Sequence, residues 1–214
     1  MLPKENDNHD RLHKLRPIIT AVCSKFQGVP LEQKLSVDEQ LCATKARLHM
    51  KQYMPAKPHK WGYKLFVLCG ASGFSYNFEV YSSSENQPKF RSVDEPDLWA
   101  SSNTVVRLCR AVPNNLIHVV YFDNYYISLP PMSFLAARGI FALGTVRRNP
   151  IPNCKLPSYD QIKKENRGTS WEYVCSVEVS SVAWKNNRNV CLLSTFSGEL
   201  PKGSVKRFDK RKKV

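Results

Sequence analysis

Acidic residues are scarce in this chain: 18 Asp and Glu stand against 32 Lys and Arg over 214 residues, a net charge of +14. That imbalance favours polyanionic partners, nucleic acid first and an anionic membrane second. Long apolar runs are missing as well. None approaches the roughly 20 residues of a spanning helix, and the start of the chain carries no signal-peptide apolar core, so no membrane partner is expected. The seven cysteines, at 23, 42, 69, 109, 154, 175 and 191, include no C-x-x-C pair. Most have apolar neighbours and read as small core residues in a reducing compartment, which speaks against a disulfide framework and against an internal zinc site. With 42% hydrophobic residues the chain can still bury a core of its own.

Against that background two acids stand out. Asp123 closes the apolar run Ile117 to Phe122 and is the sole carboxylate between Asp97 and Asp160. Asp38 lies in Leu35-Ser36-Val37-Asp38-Glu39-Gln40-Leu41, after which no acid appears until Glu79 while Lys45, Arg47, Lys51, Lys57, Lys60 and Lys64 accumulate. An acid at the carboxyl end of a buried strand, where a sheet opens to solvent, is placed to hold a metal ion or a polar substrate. Two such acids in positive surroundings suit metal-dependent phosphoryl transfer on nucleic acid. The plainer reading is that each ends a strand and caps a turn.

Leu12 to Phe26 has helical spacing, with Pro17 starting or kinking the helix, and a strand carrying Asp38 follows Gly28-Val29-Pro30. A basic connection, Thr44 to Lys60, leads into the apolar strand Tyr63–Cys69. Gly70 to Gly73 turns it into the alternating run Phe74 to Val80, a hairpin whose second strand has a polar face and belongs near a sheet edge. A helix is predicted from Leu98 to before Pro113, capped by Ser101 or Ser102. The Asp123 strand, a helix begun at Ser128-Leu129-Pro130-Pro131 and a strand Ile140–Val146 complete the series. Three strands in series followed by β-α-β units describe an α/β fold, a mixed sheet with helices on its faces. After Arg147 and Arg148 comes a proline-rich bridge, then a short helix over 158–165, a strand from Trp171 and a hairpin over 182–196. The segment from Pro201 to Val214 is basic, and its last eight residues have the pattern of a nuclear-localisation patch.

Together, Ser36-Val37-Asp38-Glu39-Gln40, Lys57-Pro58-His59-Lys60-Trp61-Gly62, Val120 to Tyr126, Gly144-Thr145-Val146-Arg147 and Leu193-Ser194-Thr195-Phe196 resemble, in order, the signatures of the piggyBac transposase family. The resemblance implies a ribonuclease H-like core with an inserted β-rich subdomain. It divides the chain into a helical segment at 1–34, the core at 35–148, the insertion at 149–200 and a basic tail at 201–214. It further implies a nuclear DNA transposase acting on double-stranded DNA, with Asp38 and Asp123 as two of its catalytic, Mg²⁺-holding aspartates. Lys45, Arg47, Lys57, Lys60, Arg147 and Arg148 are the expected DNA contacts. The family's third carboxylate lies in a Gly-Gly-Val-Asp context that these 214 residues do not contain. The expectation is therefore a partial core, non-catalytic with residual DNA binding. The alternatives are an active metal-dependent transposase or nuclease completed elsewhere, and an inert remnant or protein-interaction module. A homodimer or a full-length transposase as partner is left open. Departures from the family pattern are Trp99 and Ser83 in place of glycine, Ile127 in place of threonine, Pro131 in place of leucine and Pro150 in place of arginine.

Overall fold

A computed structural model describes residues 6, 9–83, 86–147, 155–174 and 179–204. Helix α1, Arg16–Gln27, begins with Pro17 in its first turn, where the missing N–H costs nothing, so the proline starts the helix and does not kink it. Leu12 is buried ahead of it, in a turn held by Asp10, whose carboxylate accepts from the Leu12 N–H and from the Arg16 guanidinium at 2.8–2.9 Å. Strands β1, Lys34–Ala43, β2, Gln52–Tyr53, β3, Trp61–Gly70, and β4, Ser75–Val80, follow. Beyond them lie α2, Ala100–Leu108, β5, Val119–Phe122, α3, Leu129–Ala137, and β6, Phe141–Thr145. The last described elements are α4, Tyr159–Lys164, and strands β7, Ser170–Val174, β8, Ser180–Lys185, and β9, Asn189–Ser194.

All nine described strands join one sheet in the order β2-β3-β1-β5-β6-β9-β8-β7, with β4 also on β3. β1, β5 and β6 are parallel; the remaining pairs are antiparallel, so the sheet is mixed as expected. The hairpin β3–β4 forms where the alternation placed it, and β4 pairs only with β3, which puts it at an edge. Alternate residues of β4 show how the helices are layered. Phe78 meets Phe26 of α1, whereas Asn77 and Glu79 bond to Leu108 and Arg107 of α2. Since successive side chains of a strand point to opposite faces, α1 and α2 cover opposite sides of this edge. The core between the sheet and α2 and α3 includes Leu35, Val37, Leu68, Leu108, Tyr126, Met132 and Leu135. No residue of α1 itself is buried; it lies beside the core, where Phe26 packs on Phe74 and on Phe78 of β4 and the Cys23 thiol reaches the Phe78 carbonyl oxygen at 3.7 Å.

Beyond the core, Ser158 caps α4 by accepting from Gln161 N–H while the Gln161 side chain accepts from Ser158 N–H, a reciprocal box predicted by neither residue alone. β9 pairs with β6 through Leu143, Gly144 and Thr145, so the strands of the 149–200 stretch continue the same sheet. Of the seven cysteines, five are described, none of them in a disulfide; Cys109 and Cys191 are buried, and burial pushes the Cys109 thiol up to about 12.

The α2 N-terminus differs from expectation. Neither Ser101 nor Ser102 caps it: the helix already contains both, and Asn103 reaches back instead, accepting from the Leu98 N–H and donating to Asp97. The residue ahead of the helix, Trp99, has φ 73° and ψ 163°, a region open in practice only to glycine. Ser83 has φ 67°. Both positions where the resemblance leads one to expect glycine thus carry positive-φ backbone, which glycine would relieve. By contrast, Ile127 is buried among apolar neighbours and Pro131 sits in the first turn of α3, so those departures are accommodated; Pro150 lies outside the described residues. Trp99 is 84% exposed, which removes overpacking as its cost and leaves strain. Such a backbone costs roughly 1–3 kcal/mol, against roughly 0.5–1 kcal/mol for the greater unfolded freedom of glycine. Trp99→Gly is therefore expected to stabilise the protein by about 1 kcal/mol, read as a higher urea midpoint; a lower midpoint would show that the strain is not there.

Candidate functional site

The parallel ladder between β1 and β5 runs Lys34 to Val37 against Val119 to Phe122, rung for rung. One step further stand Asp38 and Asp123. Both are exposed, and both line an open cleft of about 350 Å³ with Ser36, Val37, Tyr121, Phe122, Leu143, Gly144, Thr145 and Leu192. The cleft sits at the carboxyl ends of the parallel strands, where open α/β sheets bind ligands. Its far wall needs a glycine: a Cβ on Gly144 would overlap the Phe122 carbonyl oxygen, so β6 can approach β5 this closely only without a side chain there.

Each aspartate spends one oxygen on local backbone. Asp38 Oδ1 accepts from the Glu39 N–H at 2.7 Å, and Asp123 Oδ1 accepts from the Tyr125 N–H at 2.8 Å, closing the turn that leaves β5. The turn role and the ligand role are thus compatible, because a carboxylate has two oxygens. Two exposed aspartates on neighbouring strands are hard oxygen donors of the kind Mg²⁺ takes when it completes its shell with water and phosphate, so the residues present fit one such ion. Among the described residues no group of three His, Cys, Asp or Glu could hold a metal.

Next to Asp38, Glu39 faces the other side of β1, towards α2. Its Oε2 accepts from the hydroxyl of fully buried Tyr126 at 3.1 Å, and burial together with the Glu39 carboxylate holds that phenol far above its ordinary range. Lys57 donates to the Glu39 carbonyl oxygen at 3.2 Å and stands 3.9 Å from Oε1. Lys64 lies over the rings of Phe66 and Tyr125 at 4.8 and 5.0 Å. Burial pulls its ammonium below the ordinary range, opposed by Glu39, reinforced by Lys57 and opposed more weakly by Asp38 and Asp123.

The basic residues divide into groups. Lys45 and Lys60 line a groove of about 650 Å³ with Lys51, His59 and Trp61, where Lys51 sits 5.5 Å from the indole and Tyr53 packs on Trp61. Lys57 lines the adjoining recess beside Glu39. Arg47 is exposed and lines neither. Arg147 is exposed just beyond β6, at the end of the sheet where Asp123 stands, and Arg148 lies outside the described residues. The sequence pattern assigned no role to Glu39 or Tyr126 and counted Lys64 only among the accumulating basic residues. Lys64 left a signal, a single cation inside the apolar strand β3, the same kind of isolation that marked Asp123.

A family model described as Transposase IS4 matches residues 2–214. The chain belongs to that family, in its piggyBac group. Two human relatives from that group align along nearly all of it. PiggyBac transposable element-derived protein 2 is 29% identical over 202 residues, covering 92% of this chain and 33% of the relative. PiggyBac transposable element-derived protein 3 is 30% identical over 216 residues, covering 97% and 35%. The chain therefore spans about a third of the length of these piggyBac relatives. A solved piggyBac transposase synaptic complex with hairpin DNA superposes with a TM-score of 0.68 at 23% identity, over 95% of this chain and 40% of that one, so the mixed sheet with its flanking helices is a piggyBac fold.

Proposed function

We propose that these 214 residues form a DNA-binding unit derived from a piggyBac transposase, in which Asp38 and Asp123 keep the place of two metal-holding aspartates without supporting strand transfer by themselves. The observation that carries this reading is the pair itself, brought to one cleft by the β1–β5 register with no third metal-type ligand grouped with it among the described residues. The order β4-β3-β1-β5-β6 supports a ribonuclease H-like unit, with α4 and β7 to β9 as the inserted part. A Mg²⁺ ion held between Asp38 and Asp123 would supply charge for a phosphate oxygen; Asp38 and Asp123 would orient it, and Arg147 would neutralise the flanking backbone.

Net charge of +14 and the groove around Lys45 and Lys60 support double-stranded DNA as the partner, and the solved relative is itself a complex with hairpin DNA. A nuclear location follows from that partner. Phosphate contacts carry no base information and release counterions, so binding is expected to be sequence-independent and to weaken steeply with salt. Fluorescence anisotropy with a labelled duplex checks this. Lys45→Ala, Lys60→Ala and Arg147→Ala combined should flatten the plot of log affinity against log salt by roughly 0.9 for each phosphate no longer neutralised. If the triple variant binds as the parent does while deletion of residues 203–214 abolishes binding, the core is not the DNA surface and a protein-interaction role takes its place.

A further inference from the structure

The β1–β5 ladder ends at Val37 and Phe122, one residue before each aspartate. No rung therefore fixes Asp38 relative to Asp123. What crosses the gap is the hydrogen bond from the Tyr126 hydroxyl to Glu39 Oε2. Tyr126 is 1% exposed and closes the Asp123 turn, its N–H donating to the Asp123 carbonyl oxygen at 3.2 Å; its ring packs edge-on against Phe66 and Tyr125. Glu39 is the residue after Asp38 and stands opposite Phe66 in the β1–β3 register. Its carboxylate thus touches the turn that carries Asp123, while its backbone carbonyl and Oε1 hold Lys57 of the basic connection.

We propose that Glu39 is the positioning residue of the Asp38–Asp123 pair: by accepting the Tyr126 hydroxyl, its carboxylate clamps the 123–126 turn onto β1 and so sets the spacing of the two aspartates for a shared divalent cation. The inference rests on the reading that the pair can hold such an ion, and it adds what holds the pair in register. A carboxylate facing the opposite side of β1 from the cleft does not itself ligate; it acts through Asp38 and Asp123. The companions of metal ligands have effects of this kind, and losing one typically weakens metal affinity about 10- to 100-fold.

Two variants leave the net charge of the pair's surroundings unchanged. Tyr126→Phe removes only the hydroxyl, and Glu39→Asp withdraws the carboxylate by one methylene so that it no longer reaches. Mn²⁺, which takes the same oxygen ligands as Mg²⁺, is titrated into the 214-residue protein and followed by electron paramagnetic resonance, with Asp38→Asn as the control that breaks the pair. Both variants are expected to bind Mn²⁺ about tenfold more weakly than the parent while melting within a few degrees of it. The Tyr126→Phe/Glu39→Asp double variant should lose no more than either alone, because both remove the same hydrogen bond. A merely structural bond would lower the melting temperature and leave Mn²⁺ affinity unchanged. Parental affinity in both single variants, with Asp38→Asn still abolishing binding, would overturn the positioning role and leave the metal pair standing. Absence of any Asp38-dependent Mn²⁺ binding in the parent would remove both. Should Tyr126→Phe fail to fold, Glu39→Asp decides alone.

Discussion

Duplex and hairpin DNA are expected to remain uncut when incubated with a polypeptide of these 214 residues in Mg²⁺ or Mn²⁺. In-line displacement at a phosphodiester draws on two divalent ions, one on the attacking oxygen and one on the leaving oxygen. On the proposed reading Asp38 and Asp123 would supply donors for one ion, and no third acid is grouped with them among the described residues. The other acids sit elsewhere. Glu172 accepts from Ser180 and from Glu199 N–H, Asp160 lies in the first turn of α4, and Glu79 is bound to Arg107. Losing one metal-holding carboxylate takes away about 4 kcal/mol or more of transition-state stabilisation, which is about a thousandfold in rate. The measurement is a gel assay on end-labelled DNA. Metal-dependent cleavage that disappears in both Asp38→Ala and Asp123→Ala would overturn the non-catalytic reading of this polypeptide and make the two aspartates sufficient.

Replacing Glu79 by alanine is expected to destabilise the fold by about 3–5 kcal/mol, the cost of stranding a buried charge. The Arg107 side chain is only 4% exposed. Its Nε and Nη2 each reach a Glu79 oxygen at 2.8 Å, and its remaining partners, Thr104 Oγ1 at 3.3 Å and Asn86 Oδ1 at 3.5 Å, are neutral. The Glu79 side chain is 24% exposed, so its carboxylate sits where the buried guanidinium comes nearest the surface. The pair itself need not be strongly stabilising, since apolar side chains of similar volume can substitute for a buried ion pair at little cost. Arg107→Met combined with Glu79→Leu should therefore recover most of what Glu79→Ala loses. Urea denaturation of the three proteins reads both effects. A loss under about 1 kcal/mol in Glu79→Ala would mean that the guanidinium finds solvent after all.

Local pattern carried much of the fold. Alternation over Phe74 to Val80 and the apolar run Tyr63–Cys69 were enough to place the edge hairpin, because side chains of period two meet only one geometry. The parallel strands were legible from apolar runs joined by helical spacing. Three things were not. Strand β2 is two residues long and is held by the Tyr53–Trp61 packing, which no pattern in a basic proline-broken connection reveals. Arg107 occurs at a position where helix spacing alone allows a solvated cation; its burial comes from Glu79, on a strand 28 residues earlier. The Glu39–Tyr126 bond spans 87 residues and exists only because β1 and β5 are neighbours. The candidate site shows the same division. Asp38 and Asp123 stood out by chemical isolation, while what holds them together depends on long-range pairing.

Gly144 and the two aspartates share a cleft but answer to different kinds of selection. Any side chain at 144 collides with β5, so a lineage that had lost every activity would still keep glycine there simply to fold. Asp38 and Asp123 are exposed, and to the fold each brings a local backbone hydrogen bond and a weak attraction for the Lys64 ammonium. In a copy under no functional selection they would be among the first residues to drift, at little cost to stability. Among orthologues, a retained glycine at 144 would therefore say only that the sheet persists. Retained acids at 38 and 123 would say that the cleft is still in use.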